Sequence, residues 1–353
     1  MNNDRIQEIL DLMEEARLDY FLISDPQSIA YCTGYYNDPH ERMFVFMISK
    51  HGNHTLFMND LFYLEHDLDV NIVWHKDGQD AIQTIVDEMH FPGRIGIDKN
   101  WASHFLLDLM KKLPDAKYIN ASPCVDLVRM KKDLQEQVLM IESSKINDAV
   151  MEEIIPFIQE GVTEKQLAKK LDELFFNHHS TCYGAIVAFG KNAADPHHEN
   201  DDTPLRKGDC VLIDMGCVYK GYCSDMTRTF FYEGILEEEI KVYEIVKKAN
   251  EAAEAMIKPG VKLSDIDKCA RKVISDEGYG KYFTHRLGHF IGRDVHEYGD
   301  VSSVNEMEVE EGMIFSIEPG IYLEGNFGVR VEDLVMVTKD RCQVLNSFTK
   351  DIY

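Results

Sequence analysis

Four acidic side chains stand inside runs that otherwise read as β-strands: Asp214 in VLIDM, Asp225 in SDMTRTFF, Glu318 in FSIEP and Glu332 in VRVED. Acidic residues are poor strand formers, and a carboxylate buried without a partner is strongly disfavoured. The segment CVLIDMGCVYKGYCSDMTRTFF (210–231) reads as two β-runs around a Tyr-Lys-Gly turn. A fold about Tyr219-Lys220 sets Asp214 opposite Asp225, and a turn at Lys220-Gly221 offsets them. In MIFSIEPGIYLEGNFGVRVEDLVMV, a fold about Gly325 sets Glu318 opposite Glu332. Opposed side chains on one sheet face have Cβ atoms about 4.5–5.5 Å apart, so two carboxylates there repel unless a cation lies between them. In a chain with 62 acidic residues, one such pair alone reads better as a solvated strand face. Two pairs, each across its own hairpin, point instead to a metal site. Four carboxylates suit two divalent ions roughly 3.5–4 Å apart, an arrangement used for hydrolysis. Oxygen-rich ligation favours Mn²⁺, with Co²⁺, Zn²⁺ or Fe²⁺ as alternatives.

A histidine would complete such a shell, and THRLGHFIGRDVHEYG (284–299) supplies His285, His289 and His296. The four-residue spacing of the first two matches helical zinc proteases, but there a Glu follows the first His. Here Arg286 follows it, and Gly288 and Gly292 disfavour a helix. The stretch reads as strand or loop in which glycines let the backbone pass close to something. With 14 histidines in the chain, ordinary surface histidines are an equal reading of this stretch alone.

The elements that must position these groups fall into two regions. The first opens with an amphipathic helix, MNNDRIQEILDLMEEAR, with Ile6, Ile9, Leu10 and Met13 at helical spacing. Strand runs follow at 19–24, 43–49, 54–59, 71–75, 94–98 and 116–120, with a turn at Asp25-Pro26, a hairpin at KHGN, and helices near 79–90 and 101–112. This predicts a compact α/β domain. After Ser122-Pro123 a long charged helical region begins, so we set the boundary at 124/125, giving domains 1–124 and 125–353. Helices are predicted at 163–177, 237–257 and 263–277, separated by strand pairs.

Hydrophobic content of 44% and charged content of 28% fit a globular protein, and a net charge of −25 argues against nucleic acid or an anionic membrane as partner. No basic start precedes an apolar run of signal-peptide type, and no run is long enough to span a membrane. Cysteines at 32, 124, 182, 210, 217, 223, 269 and 342 form no CxxC pair and read as free thiols. A cytoplasmic location follows as the expectation.

The segments DMGCVYKGYCSDMTRT, HRLGH, VHE, IEPGIY and VRVED together resemble the pita-bread metallopeptidases, the group of prolidase, aminopeptidase P, methionine aminopeptidase and metal-free creatinase. The likeness covers nearly the whole chain. SDPQSIAYCTGY (24–35) resembles the start of the amino-terminal domain of prolidase and aminopeptidase P. Methionine aminopeptidases usually lack that domain and creatinase lacks the carboxylates, which disfavours both. The implied fold class is α+β: a carboxy-terminal pita-bread catalytic domain with a curved, mostly antiparallel sheet flanked by helices, plus an amino-terminal α/β creatinase-like domain. The implied ligands are Asp214, Asp225, His289, Glu318 and Glu332.

By the same resemblance His296 hydrogen-bonds substrate, and Gly288 brings the backbone near the metals. His197, in AADPHHEN, polarises the scissile carbonyl, while His198 is expected to be exposed. Glu318 is the expected general base and proton shuttle. Tyr322 and Arg330 resemble residues that buttress such a site, with an equal alternative of a strand tyrosine and an arginine paired to a ligand carboxylate. His285 is a further candidate for substrate contact. Two departures stand out: Phe290 replaces a usual glycine and is expected to narrow the cavity, and Arg293 replaces a usual apolar residue. Arg293 is the candidate reader of a dipeptide's terminal carboxylate, with a surface ion pair to Asp294 or Glu297 as the alternative. The loop YYNDPHER (35–42), of this subunit or of a second one, could close over that pocket, with Asp38 or His40 reaching Arg293. The expected activity is hydrolysis of Xaa-Pro dipeptides by two divalent metals. Aminopeptidase P activity on longer Xaa-Pro peptides is the runner-up, and an inactive binding module is disfavoured because all five ligand positions are filled. A homodimer is the expected assembly.

Overall fold

A computed structural model describes residues 1–64, 66–90 and 92–352, and the chain divides into two units, Met1–Arg129 and Met130–Tyr353. The first unit runs α1 (Asn3–Glu15), β1 (Tyr20–Ile23), α2 (Pro26–Thr33), β2 (Val45–Ser49), β3 (Thr55–Asn59), β4 (Asn71–His75), α3 (Ala81–Glu88), β5 (Arg94–Ile97), α4 (Ser103–Lys112), β6 (Lys117–Asn120) and α5 (Ser122–Met130). Its six strands form one mixed sheet in the order β4-β3-β2-β1-β5-β6. Alternation along the strands buries both faces. Phe21, Ile23, Phe46 and Ile48 pack with Ile6, Ile9 and Met13 of α1, whereas Tyr20, Leu22, Val45 and Met47 pack with Ile82 and Ile85 of α3 and Leu109 of α4.

Two Pro-containing steps read as breaks are helix starts. Asp25 caps α2, its carboxylate accepting the Ser28 amide at 2.8 Å, and Pro26 takes the first helical position, where no N–H is needed. Likewise α5 begins at Ser122. Its Cys124, Val125 and Val128 belong to the first unit's core, and the units divide between Arg129 and Met130, at the end of this helix, where 124/125 was expected.

The second unit contains α6 (Leu134–Ile154), α7 (Glu164–Asn177), β7 (Thr181–Cys182), β8 (Ile186–Phe189), β9 (Cys210–Met215), β10 (Cys217–Tyr219), β11 (Tyr222–Cys223), β12 (Met226–Phe231), α8 (Glu237–Met256) and α9 (Leu263–Asp276). It continues with β13 (Gly288–His289), β14 (Asp300–Val301), β15 (Ile314–Ile317), β16 (Gly320–Leu323), β17 (Phe327–Arg330), β18 (Asp333–Val337) and β19 (Cys342–Val344). Its strand pairs are antiparallel. Val150 and Ile154 of α6 and Leu167, Leu171 and Phe175 of α7 cover one face of β9, meeting Val211 and Ile213. That leaves Leu212 and Asp214 for the other face. Among the described residues no helix is long and apolar enough to cross a membrane.

Two hairpin registers set the site. Lys220 and Gly221 make the first turn with φ of 48° and 83°, the primed geometry that suits a twisted hairpin. Tyr219 pairs with Tyr222, and the same register sets Asp214 opposite Thr227. Moving the fold point by one residue moves the partner by two, so Asp225 is diagonal to Asp214, not directly opposite. Because the shift is even, both stay on one face. In the second hairpin Ile317 pairs with Asp333, Gly320 with Arg330 and Leu323 with Phe327, a single register that sets Glu318 across from Glu332.

Parity sends Asp333 away from the site. There it meets Arg228 Nη2 at 2.8 Å and Lys350 Nζ at 2.6 Å, while Lys350 also holds Glu254 at 2.8 Å. Arg228 donates to the backbone oxygens of Glu332 at 2.6 Å and Phe348 at 2.8 Å.

Candidate metal centre

One face of each hairpin opens on a cavity of about 510 Å³ lined by Asp214, Asp225, His289, Glu318 and Glu332 together with His197, His285, Arg286, His296 and Arg330. Ligand atoms of Asp225, His289 and Glu332 lie within 4.8 Å of one another, and all three residues are buried. His289 Nε2 is 3.6 Å from both Asp225 Oδ2 and Glu318 Oε1. The expected histidine strand is present as β13, and the other ring nitrogen, Nδ1, lies 3.2 Å from the Phe290 carbonyl oxygen. That contact requires the proton on Nδ1 and leaves the Nε2 lone pair facing the carboxylates.

The electrostatics follow from burial. Desolvation, with the charges of Asp214 and Glu318, holds Asp225 well above the usual carboxylate range. Desolvation and the same crowding raise Glu332, and desolvation pushes Glu318 up to about 7. Burial pushes His289 down to about 3, so its ring is neutral. Arg330 offsets part of the negative charge: its Nη2 is 2.7 Å from Asp214 Oδ2. A donor set of four crowded carboxyls, three of them raised by burial because the protein's own cations do not offset their charge, and one neutral imidazole fits divalent cations.

Arg330 also donates to the Tyr322 hydroxyl at 3.1 Å, and that hydroxyl is 2.8 Å from His285 Nε2. His285 Nδ1 faces the Arg286 carbonyl at 2.7 Å, so Tyr322 donates its proton to Nε2. Arg330, Tyr322 and His285 thus form a continuous hydrogen-bonded wall, with Arg330 in the carboxylate-paired role. The His296 ring centre lies 4.2 Å from that of His289, and His197 is exposed on the cavity.

Several expectations need correction. Gly288 has a role in strand packing that was not expected, since an added Cβ would lie 1.9 Å from the Ser316 carbonyl oxygen. Phe290 does not narrow the cavity: fully buried, it packs on Phe315 with ring centres 5.3 Å apart. His198 is mostly buried, its Nε2 2.6 Å from Glu164 Oε2. Arg293 is absent from the cavity lining; its guanidinium carbon lies 5.4 Å from the Tyr222 ring centre, and its backbone N–H donates to Glu297 at 3.0 Å. Asp38 and His40 are exposed in the first unit and lie 3.8 Å from each other.

Three contributors went unread in the sequence. Thr227 donates to Glu332 Oε2 at 2.7 Å and accepts from Arg330 Nε at 3.0 Å. Ser316 accepts the His289 amide at 3.0 Å and donates to Glu318 at 3.2 Å. Each lies two residues from a carboxylate on the same strand face, so period-two spacing was the available signal. Arg286 lines the cavity, 4.0 Å from Asp300.

Known proteins resemble this chain over both units. The profile of metallopeptidase family M24 matches residues 138–339, and that of the creatinase/prolidase N-terminal domain matches residues 5–131. An uncharacterized peptidase of Staphylococcus aureus is 34% identical over 355 residues, covering 98% of this chain and 99% of that protein. The crystal structure of a prolidase from Thermococcus sibiricus superimposes with a TM-score of 0.94 at 32% identity, covering 100% of this chain and 99% of the other. A dipeptidase from Pyrococcus horikoshii OT3 gives 0.92 at 35% identity, with 99% of each chain covered.

Proposed function

Because the chain belongs to metallopeptidase family M24, we propose that it is a two-metal peptidase that hydrolyses Xaa-Pro dipeptides. The observation that carries this reading is the convergence of four carboxylates and a neutral imidazole on one cavity. Asp214, Asp225, His289, Glu318 and Glu332 would hold two divalent ions, and the oxygen-rich donor set favours Mn²⁺. When bound, such ions supply Lewis-acid polarisation and lower the pKa of water.

The chain's own groups do the rest. Glu318, a ligand carboxylate at the reacting centre, is placed to take a proton and return it. His197 faces the cavity as a hydrogen-bond donor for charge developing on the scissile carbonyl oxygen. His296, beside His289, orients the peptide. Arg330 and Tyr322 fix Asp214 and His285. The eight free thiols fit a reducing, cytoplasmic setting, and a homodimer is the assembly implied by the resemblance.

The dipeptide choice draws on the solved relatives described as prolidase and dipeptidase. A Xaa-Pro dipeptide carries a carboxylate beyond the proline ring where a longer peptide carries a neutral amide, so a cation there favours the dipeptide. Arg286 is a cation within the lining, and Arg293, the candidate the sequence offered, lies outside it. The test compares hydrolysis of a Xaa-Pro dipeptide, its amide and the same peptide extended by one residue, in the parent protein and in Arg286→Ser and Arg293→Ser. The dipeptide should be preferred, and the variant lacking the reader should raise KM for it more than for the amide. Preference for the extended peptide makes the protein an aminopeptidase P, and full metal content without hydrolysis makes it a binding module.

A further inference from the structure

We propose that Glu164 is a positioning residue for His197, latching segment 195–201 beside the cavity through His198 and Asp201. The inference rests on the role given to His197 above. Glu164 opens α7, and its side chain is fully buried. A buried carboxylate must have its lone pairs satisfied, and here four donors do so. Oε1 accepts from the Phe189 amide at 2.9 Å and from Asn192 Nδ2 at 2.9 Å. Oε2 accepts from His198 Nε2 at 2.6 Å and from the Asp201 amide at 3.0 Å.

Glu164, His198 and Asp201 are spaced closely enough to suggest a second metal site. The bonding argues otherwise, because both Glu164 oxygens and the facing His198 nitrogen are already spent on one another and on backbone N–H groups. What the carboxylate does is join the end of β8, the turn at Asn192 and the segment after His197. On the other side of His197, the Pro196 carbonyl accepts from Arg330 Nη1 at 3.4 Å, and Arg330 is itself bound to Asp214. His197 is therefore tied at both flanking residues, on one side to the candidate metal centre and on the other to α7. Its own backbone N–H is held by Asp195 at 3.0 Å. The exposed imidazole inherits its position from these anchors, and catalytic donors need placement to within a fraction of an ångström.

The test is a double-mutant cycle on the metal-loaded protein. In Glu164→Gln a neutral amide turns an N–H₂ toward donors, so at least one loses its acceptor. Turnover of a Xaa-Pro dipeptide should fall about tenfold or more, with metal content unchanged and KM within about twofold. His198→Ala should act in the same direction, and His198→Gln, whose amide can still donate, should recover most of the loss. This pair carries the test if Glu164→Gln does not fold. In a His197→Ala background neither Glu164→Gln nor His198→Ala should lower kcat further, because the group they position is gone. Equal losses with and without His197, unchanged kcat in Glu164→Gln, or His198→Gln no better than His198→Ala would each overturn the latch. Full turnover by His197→Ala alone would instead remove the role given to His197, and the latch with it.

Discussion

A buried carboxyl keeps its proton unless a cation takes the proton's place. Burial pushes Glu318 up to about 7 and, with neighbouring carboxylates, holds Asp225 and Glu332 well above their usual range. Loading with divalent ions must therefore expel protons. His289, pushed down to about 3, is already neutral and does not compete. The sign follows: affinity strengthens as pH rises through about 7 and weakens as it falls, because only the deprotonated carboxylates bind the ion. Calorimetric titration of Mn²⁺ at about pH 6 and pH 8, in buffers of different ionisation heat, should show tighter binding and smaller proton release at the higher pH; equal affinity with no proton release would contradict the site. Asp225→Asn offers a neutral amide that cannot offset an ion's charge. It should lose at least one ion and nearly all hydrolysis while keeping its fold, as metal analysis and circular dichroism of the purified variant would reveal. Glu318 and Glu332 were legible in the sequence because Gly325 marks the tip of their hairpin. Asp214 and Asp225 were legible as a pair but not in register, since Tyr219-Lys220 and Lys220-Gly221 both read as turns until Lys220 is seen at positive φ. Arg286 was dismissed as the residue that spoils a helical zinc motif; nothing in one sequence tells that its side chain faces the cavity.

At the scale of elements, the amphipathic helices could be read because period and length coincide: the 163–177 run appears as Glu164–Asn177 and the 263–277 run as Leu263–Asp276. The two unread helices, α2 and α5, begin Asp-Pro and Ser-Pro, steps equally suited to a turn and to a helix cap, and their short apolar runs do not decide between them. Short strands such as β13 carry too few residues for alternation to register. Strand β13 pairs with β14 and also packs on β15, where Gly288 lets the backbone close on Ser316. Gly288→Ala should push β13 away from β15, because the added Cβ would meet a backbone oxygen that cannot swing aside. We expect a loss of about 1–3 kcal/mol in stability, as for overpacking, together with weaker metal binding as His289 moves. Urea unfolding and metal content measure the two effects, and wild-type values for both would show that the contact relaxes freely.

Across the whole molecule, the second unit holds a largely buried ionic knot in which Arg228, Asp333, Lys350 and Glu254 share charge behind the step between β17 and β18 that carries Glu332. Removing one member of a buried set leaves its partners uncompensated, at a cost of about 3–5 kcal/mol. Lys350→Met, which keeps the stem but not the charge, should lower the urea midpoint accordingly; an unchanged midpoint would mean water reaches Asp333. The knot, the five candidate ligands, His197 and His296 all fall within residues 130–353, and residues 1–129 close an apolar core of their own. Inheritance can act on such a chain in two portions. The catalytic portion descends as one block, since drift at Asp333 or Arg228 is felt at Glu332 and must be answered within the same block. The amino-terminal portion answers to a core of its own, in which Phe21, Ile23, Phe46 and Ile48 meet Ile6, Ile9 and Met13, so a change there must first be answered by those neighbours.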